Sequence, residues 1–346
     1  MRSYKRAQRR VALGSPKFGR LGVTGAFSVM ALLLILLIGA ILDLRRDSAG
    51  ERRFGEYLEQ NRLRPVQAVI DASRSRRIVF ISDIRTAAAP KLFAAEVIDS
   101  LAAGPGIDAL VLEVPRTMQP YIDRYLDGVT ENASILLSNP KTLGDPSTSR
   151  QMLELYHHVW QANEKLGADR RIRIIAVDHP GWPVERAVAP SQLARLFAER
   201  TDSMMKQLDQ QVFSRNMRSR VLVLMSGWHA LQNVRGSIQT GGTANLEVTW
   251  LADALNRTYP GEVYAFLVDA PGSGRTPEAL AYRGTRYPEV AGDLFPRGRF
   301  AVRTAAPFDF LDRPLLTPST PGLEFELVPR DFRFDQVAAG YIYLGN

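Results

Sequence analysis

Five short apolar runs in this chain each end in residues able to do chemistry. Ser82-Asp83-Ile84-Arg85 follows the run 78–81, Glu113 closes 109–112, and Asp178-His179 follows 172–177. Ser226-Gly227-Trp228-His229 follows 221–225, and Asp269 closes 263–268. A carboxylate can act as general base on water and a neutral histidine can assist it. An arginine is a permanent cation, able to pair with a carboxylate or to stabilise a developing oxyanion. Aspartate also caps helices, which accounts for Asp83 and Asp269 without any chemistry. That explanation suits Glu113, set between Leu112 and Val114-Pro115, less well. His157 and His158 are adjacent in a helical stretch, so their side chains diverge by about 100° and serve packing or surface roles, not a shared ion.

The runs are short and rich in β-branched residues, and amphipathic stretches at 91–103, 149–166, 191–219 and 245–258 separate them. That alternation predicts an α/β domain with a mostly parallel sheet covered by helices on both faces. In such sheets ligands bind beyond the carboxyl ends of the strands, the edge on which Asp83, Glu113, Asp178, His179 and His229 fall. The tail, 299–346, is expected to add strands at the sheet edge.

The chain has 346 residues and a net charge of +8. Seven basic residues and no acid lie in residues 1–20; without them 37 basic face 36 acidic residues. The charge is therefore a topology signal beside an apolar run and not a nucleic-acid face. Residues 21–42 carry no charge and as a helix would span about 33 Å, a bilayer core. The expected organisation is a basic cytoplasmic tail (1–20), a transmembrane helix (21–42), a juxtamembrane linker or helix (43–75) and an extracytoplasmic α/β domain (76–346). The membrane is then a partner through residues 21–42. With no cysteine, disulfides and thiolate chemistry are excluded.

No GxSxG elbow, HExxH, P-loop or strand-following GxGxxG is present. The strand-edge constellation resembles instead the superfamily of erythromycin esterases, ChaN-like haem-binding proteins, TraB-type proteins and Tiki proteases. Its pattern is a strand followed by G-E-x-H, a second strand ending in L-E, an arginine on a later helix, and a strand followed by G-x-x-H. Here Leu112-Glu113 is similar to the second element and His229 to the last. Arg200 precedes Thr201-Asp202-Ser203-Met204-Met205 where the family has R-D-x-x-M, and the closing 341–345 is similar to the family's end. The resemblance implies a hydrolytic site in which Asp83 or Glu113 is the base, His229 assists, and Arg200 or Arg85 stabilises the oxyanion. It also allows haem or a divalent metal as cofactor, and a small ligand or a protein as partner.

The departures point elsewhere. G-E-x-H reads Ser82-Asp83-Ile84-Arg85, which shortens the acid by one C–C bond, about 1.5 Å, and puts a residue that never deprotonates where a histidine would act. Arg85 is expected to pair with Glu113 or Asp83, or to bind an anion, with His179 a partial substitute for the lost histidine. The resulting expectation is a degenerate active site with a ligand- or protein-interaction role; the alternatives are a hydrolase using Asp83, Glu113 and His229, and a haem or small-ligand binding protein.

Overall fold

A computed structural model describes residues 52–53, 55–128, 132–182, 189–239, 246–270, 298–303, 324–328 and 334–345. They belong to one compact unit, Gly50–Asn346. The run 21–42 lies outside the described residues. Among those described, no helix is long and apolar enough to cross a membrane.

The core element is a seven-stranded sheet of order β3-β2-β4-β1-β7-β10-β8. Its strands are β1 (Ile78–Asp83), β2 (Ala109–Pro115), β3 (Arg173–Asp178), β4 (Val221–Ser226), β7 (Val263–Asp269), β8 (Arg299–Arg303) and β10 (Gly340–Leu344). All neighbours pair parallel except β10 with β8, which is antiparallel at the edge. The tail thus adds two strands at one edge of the sheet, β10 against β7 and β8 outermost, as the sequence suggests. Gly340 is required for the pairing of β10 with β7, because a Cβ there would run into the Phe266 ring.

Successive strand side chains point to opposite faces, and both faces are covered. Phe80, Val111 and Val223 pack with Met204, Leu208, Leu251 and Leu255 on one side. Val79, Leu110 and Leu222 pack with Phe93, Val97, Leu155 and Val159 on the other. Burial on both faces is why the strands read as continuous apolar runs and not as alternating ones. The covering helices are α1 (Pro65–Ser75), α2 (Ala89–Ala103), α3 (Gln119–Leu126), α4 (Ser149–Lys165), α5 (Pro190–Leu208) and α6 (Leu251–Thr258).

Two expectations are corrected. The domain begins well before Arg76: α1 buries Ala68, Val69 and Ala72 against the second face, and Leu58, fully buried, joins the first. Tyr57 Oη donates to the Arg303 carbonyl at 2.9 Å, and Leu63 bridges to Ala301 in β8. The helix expected over 245–258 is instead β6 (Leu246–Thr249) followed by α6. β6 pairs antiparallel with β5 (Arg235–Gln239), which also pairs with β9 (Glu324–Val328) in a small second sheet. Val248 and Thr249 are β-branched and long-range pairing is open to them, which overrides the helical spacing.

Candidate functional site

Parallel strands end on one edge, and the order β3-β2-β4-β1 lays Asp178, Glu113, Ser226 and Asp83 in a row along it. Asp83 is in register with Ser226. On β2 the register slips between Leu112 and Pro115, since proline has no N–H for the ladder, and Glu113 sits in this irregularity. The short turn Gly227–Ala230 after β4 carries His229, and α5 brings Arg200 across the same edge.

Arg200 is the hub. Its Nη2 donates to Glu113 Oε1 at 2.6 Å and to Asp178 Oδ2 at 2.8 Å, while Nε donates to Asp178 Oδ1 at 3.0 Å. The guanidinium lies 4.1 Å from the centroid of the Trp182 ring, a cation–π contact that shields the cluster. Glu113's second oxygen accepts the Ser226 N–H at 2.8 Å. Burial works to raise the Glu113 pKa, but the Arg200 charge, His229 and the Ser226 N–H outweigh it and hold the carboxyl down at about 2. Burial also opposes the Arg200 charge, and Asp178 and Glu113 more than restore it, so its pKa lies above the usual arginine value.

A second ion pair closes the other end of the row. Lys91, in the first turn of α2, donates to both Asp83 oxygens at 2.8 and 2.9 Å, and to the carbonyls of Ile84 and Arg85 at 3.2 and 3.0 Å. Burial raises the Asp83 pKa, and the Lys91 charge counters it only in part. The expectation that Arg85 pairs with Glu113 or Asp83 is therefore corrected: their partners are Arg200 and Lys91, which reach the carboxylates from the covering helices. Arg85 lines the adjoining cavity, and its carbonyl accepts from Thr148 Oγ1 at 2.8 Å.

His229 is 3% exposed, and its Nδ1 is buried without a hydrogen-bond partner. Burial lowers its pKa to about 4 against the pull of the Glu113 charge, so the ring is neutral at pH 7. His179 is engaged locally: its N–H donates to Asp178 Oδ1 at 2.7 Å, and its Nδ1 accepts the Gly181 N–H at 3.0 Å. The other histidines have packing roles, with His158 bonded to Asp99 at 2.9 Å and His157 stacked on Trp160 at 5.8 Å between centroids.

Beside the row opens a cavity of about 280 Å³, lined by Asp83, Glu113 and Asp178, by Arg85, Lys91 and Lys141, and by apolar Pro115, Leu143, Met152 and Leu224. It does not fit the cofactors raised above. The carboxylates that a metal would use already hold Lys91 and Arg200, and among the described residues no group of three or more His, Asp or Glu is placed to hold an ion. The volume falls just below the range of about 300–1,000 Å³ for drug-sized ligands, so the described residues do not enclose space for a porphyrin.

Structure comparison places this architecture among known folds. A structural-genomics protein from Bacillus cereus superposes with a TM-score of 0.59 at 10% identity, over 85% of this chain and 97% of its own. An erythromycin esterase mutant in its open conformation gives 0.54 at 10% identity, over 80% and 92%. A succinoglycan biosynthesis protein gives 0.53 at 8% identity, over 85% and 97%. The chain thus has the erythromycin esterase-like fold in a divergent form. No family model matches the sequence, and no curated protein matches it.

Sequence reasoning reached Asp83, Glu113, Asp178, Arg200 and His229, which the fold gathers on one edge. Lys91 and Trp182 escaped it. Lys91 reads as an ordinary charged residue at the start of a helix, and its only signal is its place eight residues after Asp83, just past the β1–α2 turn.

Proposed function

We propose that the chain is an interaction domain on an erythromycin esterase-like scaffold, taking a small ligand or a protein partner at a site whose hydrolytic carboxylates have become ion pairs. One observation carries this reading: both oxygens of Glu113 are occupied, Oε1 by Arg200 at 2.6 Å and Oε2 by the Ser226 N–H at 2.8 Å. A general base needs a pKa near the working pH, and a carboxyl held down at about 2 is too weak a base for that role. Asp83, whose pKa burial raises, is held instead by an ion pair in which Lys91 donates to both of its oxygens. The test is hydrolysis of simple p-nitrophenyl esters by the purified chain. The expected rate is indistinguishable from that of Glu113→Gln and His229→Ala; turnover abolished by either substitution would refute the proposal.

The hydrolase reading keeps one observation in its favour, the neutral His229, its Nδ1 without a hydrogen-bond partner, near the Glu113 charge. In that reading His229 takes the proton from water, Glu113 supports the resulting imidazolium, and Arg200 stays a fixed cation; the same assay decides between the two. Anchoring through residues 21–42, with the N-terminus cytoplasmic and the domain extracytoplasmic, belongs to the proposal on the strength of the uncharged run and the seven basic residues before it. A C-terminal alkaline-phosphatase fusion should be active and a C-terminal cytoplasm-restricted fluorescent reporter dark; the reverse pair would overturn that orientation.

A further inference from the structure

The opposite edge of the sheet carries a different chemistry. Ile78, Ala109, Arg173, Val221 and Val263 begin their strands in register, so the segments leading into β1, β2, β3, β4 and β7 share one edge. Arg76 and Arg77 enter β1. Arg170, Arg171 and Arg173 enter β3. Arg215, Arg218 and Arg220 enter β4. Against these eight arginines the same segments hold three carboxylates: Asp108, Asp169 and Glu262.

The arginines are held in place. Arg220 Nη1 donates to the Ser73 carbonyl at 2.7 Å, Arg173 Nη1 donates to the Gln211 carbonyl at 2.7 Å, and Arg77 donates to the Met217 carbonyl and pairs with Glu262 at 3.1 Å. Arg170, Arg218 and Arg220 line a recess of about 250 Å³ together with Asp108 and Asp169. At the tip of the turn between α5 and β4, Met217 stands 56% exposed, a large apolar side chain next to Arg218. Like charge is crowded here: burial and then the nearby Arg215 lower the Arg173 pKa.

We propose that this edge is a docking surface for an anionic lipid bilayer, with the arginines meeting phosphate headgroups and Met217 entering the interface. Charge complementarity selects an anionic partner, since each arginine near such a surface adds attraction that falls off within a Debye length. Met217 selects a membrane over a nucleic acid, because an exposed apolar side chain next to Arg218 on a basic face gains by leaving water and gains nothing from a phosphate backbone. The 22-residue uncharged run at 21–42 gives the chain a second, independent reason to meet lipid. The surface lies at the far end of the strands from the Glu113–Arg200 site and does not depend on what that site does.

The absence of cysteine makes the experiment clean, since one introduced cysteine is then the only one in the chain. Full-length Met217→Cys, carrying an environment-sensitive fluorophore, is reconstituted in phosphatidylcholine vesicles with and without about one third phosphatidylglycerol. Ser147→Cys, exposed at the other edge, is the control. The proposal expects a blue shift and quenching by lipid-borne nitroxide at position 217 only, only with phosphatidylglycerol, and lost in 0.5 M salt or in Arg170→Glu/Arg218→Glu. Equal spectra with and without phosphatidylglycerol would overturn it. So would a signal that survives the double substitution, or a duplex oligonucleotide that displaces the probe from the vesicles at micromolar concentration.

Discussion

Glu113→Gln separates a structural ion pair from a working base, because the two roles place opposite demands on stability. The side chains of Glu113, Arg200 and Asp178 are 13%, 5% and 1% exposed, so their charges are largely shielded from solvent. Glutamine keeps the shape but not the charge. Its single carbonyl can accept from Arg200 or from the Ser226 N–H, and the amide NH₂ then faces the other donor. Removing one partner of a buried ion pair costs about 3–5 kcal/mol, and an unsatisfied buried donor about 1–3 kcal/mol. Arg200 still keeps its two bonds to Asp178, at 3.0 and 2.8 Å, which puts the expected loss at the lower end, about 3 kcal/mol. Urea denaturation followed by circular dichroism measures it, and the melting temperature should fall by roughly 5 °C. Arg200→Met, which strands two buried carboxylates, should cost more. The double variant should cost less than the two singles together by at least about 1 kcal/mol, as expected for groups in one network. A Glu113→Gln variant within about 1 kcal/mol of the parent would refute the reasoning, since functional carboxylates are often removed at little cost or with a gain in stability.

Three further outcomes follow from the same contacts. Lys91→Met leaves Asp83 buried without its cation and should destabilise by about 3–5 kcal/mol in the same urea assay, whereas a change under 1 kcal/mol would show the pair to be incidental. His229 has a folded pKa of about 4 against an ordinary 6.5, so its contribution is fully present above pH 6.5 and is lost as pH falls toward 4. The parent should therefore lose about 3 kcal/mol across that window relative to His229→Gln, and parallel stability–pH curves would contradict this. A fragment beginning at Gly50 should melt cooperatively, and one beginning at Arg76 should be less stable by at least about 4 kcal/mol, because it lacks the buried Leu58, Ala68, Val69 and Ala72; equal melting temperatures would restore the later boundary.

The parts of the fold legible in the sequence were those with a one-dimensional signature. Runs such as 221–225 are apolar on both faces because helices cover both sides of the sheet, and the polar residue that ends each run marks the edge where the site forms. The domain start was not legible, because α1, packed through Ala68, Val69 and Ala72 with Val66 and Ile70 beside them, is a short amphipathic helix in an Arg-rich stretch and reads equally well as a juxtamembrane linker. β5 and β6 were not legible either, since Arg235–Gln239 is mostly polar and becomes a strand only by pairing on both sides. At the site the acids could be read but their partners could not. Arg85 is two residues from Asp83 in sequence, yet the cations that matter come from positions 91 and 200, on helices that only the tertiary structure brings over the strand ends.

The ionisation of Glu113 itself tests the central claim most directly. Carbon NMR of the protein labelled at glutamate side-chain carboxyls, with the Glu113 signal assigned by its loss in Glu113→Gln, follows that one group through a pH titration. Arg200 and the Ser226 N–H should hold it ionised, with a chemical shift flat from pH 8 to pH 4 and protonation only near pH 2. An inflection between pH 5 and pH 7 would mean a carboxyl poised to accept a proton from water, and would contradict the account.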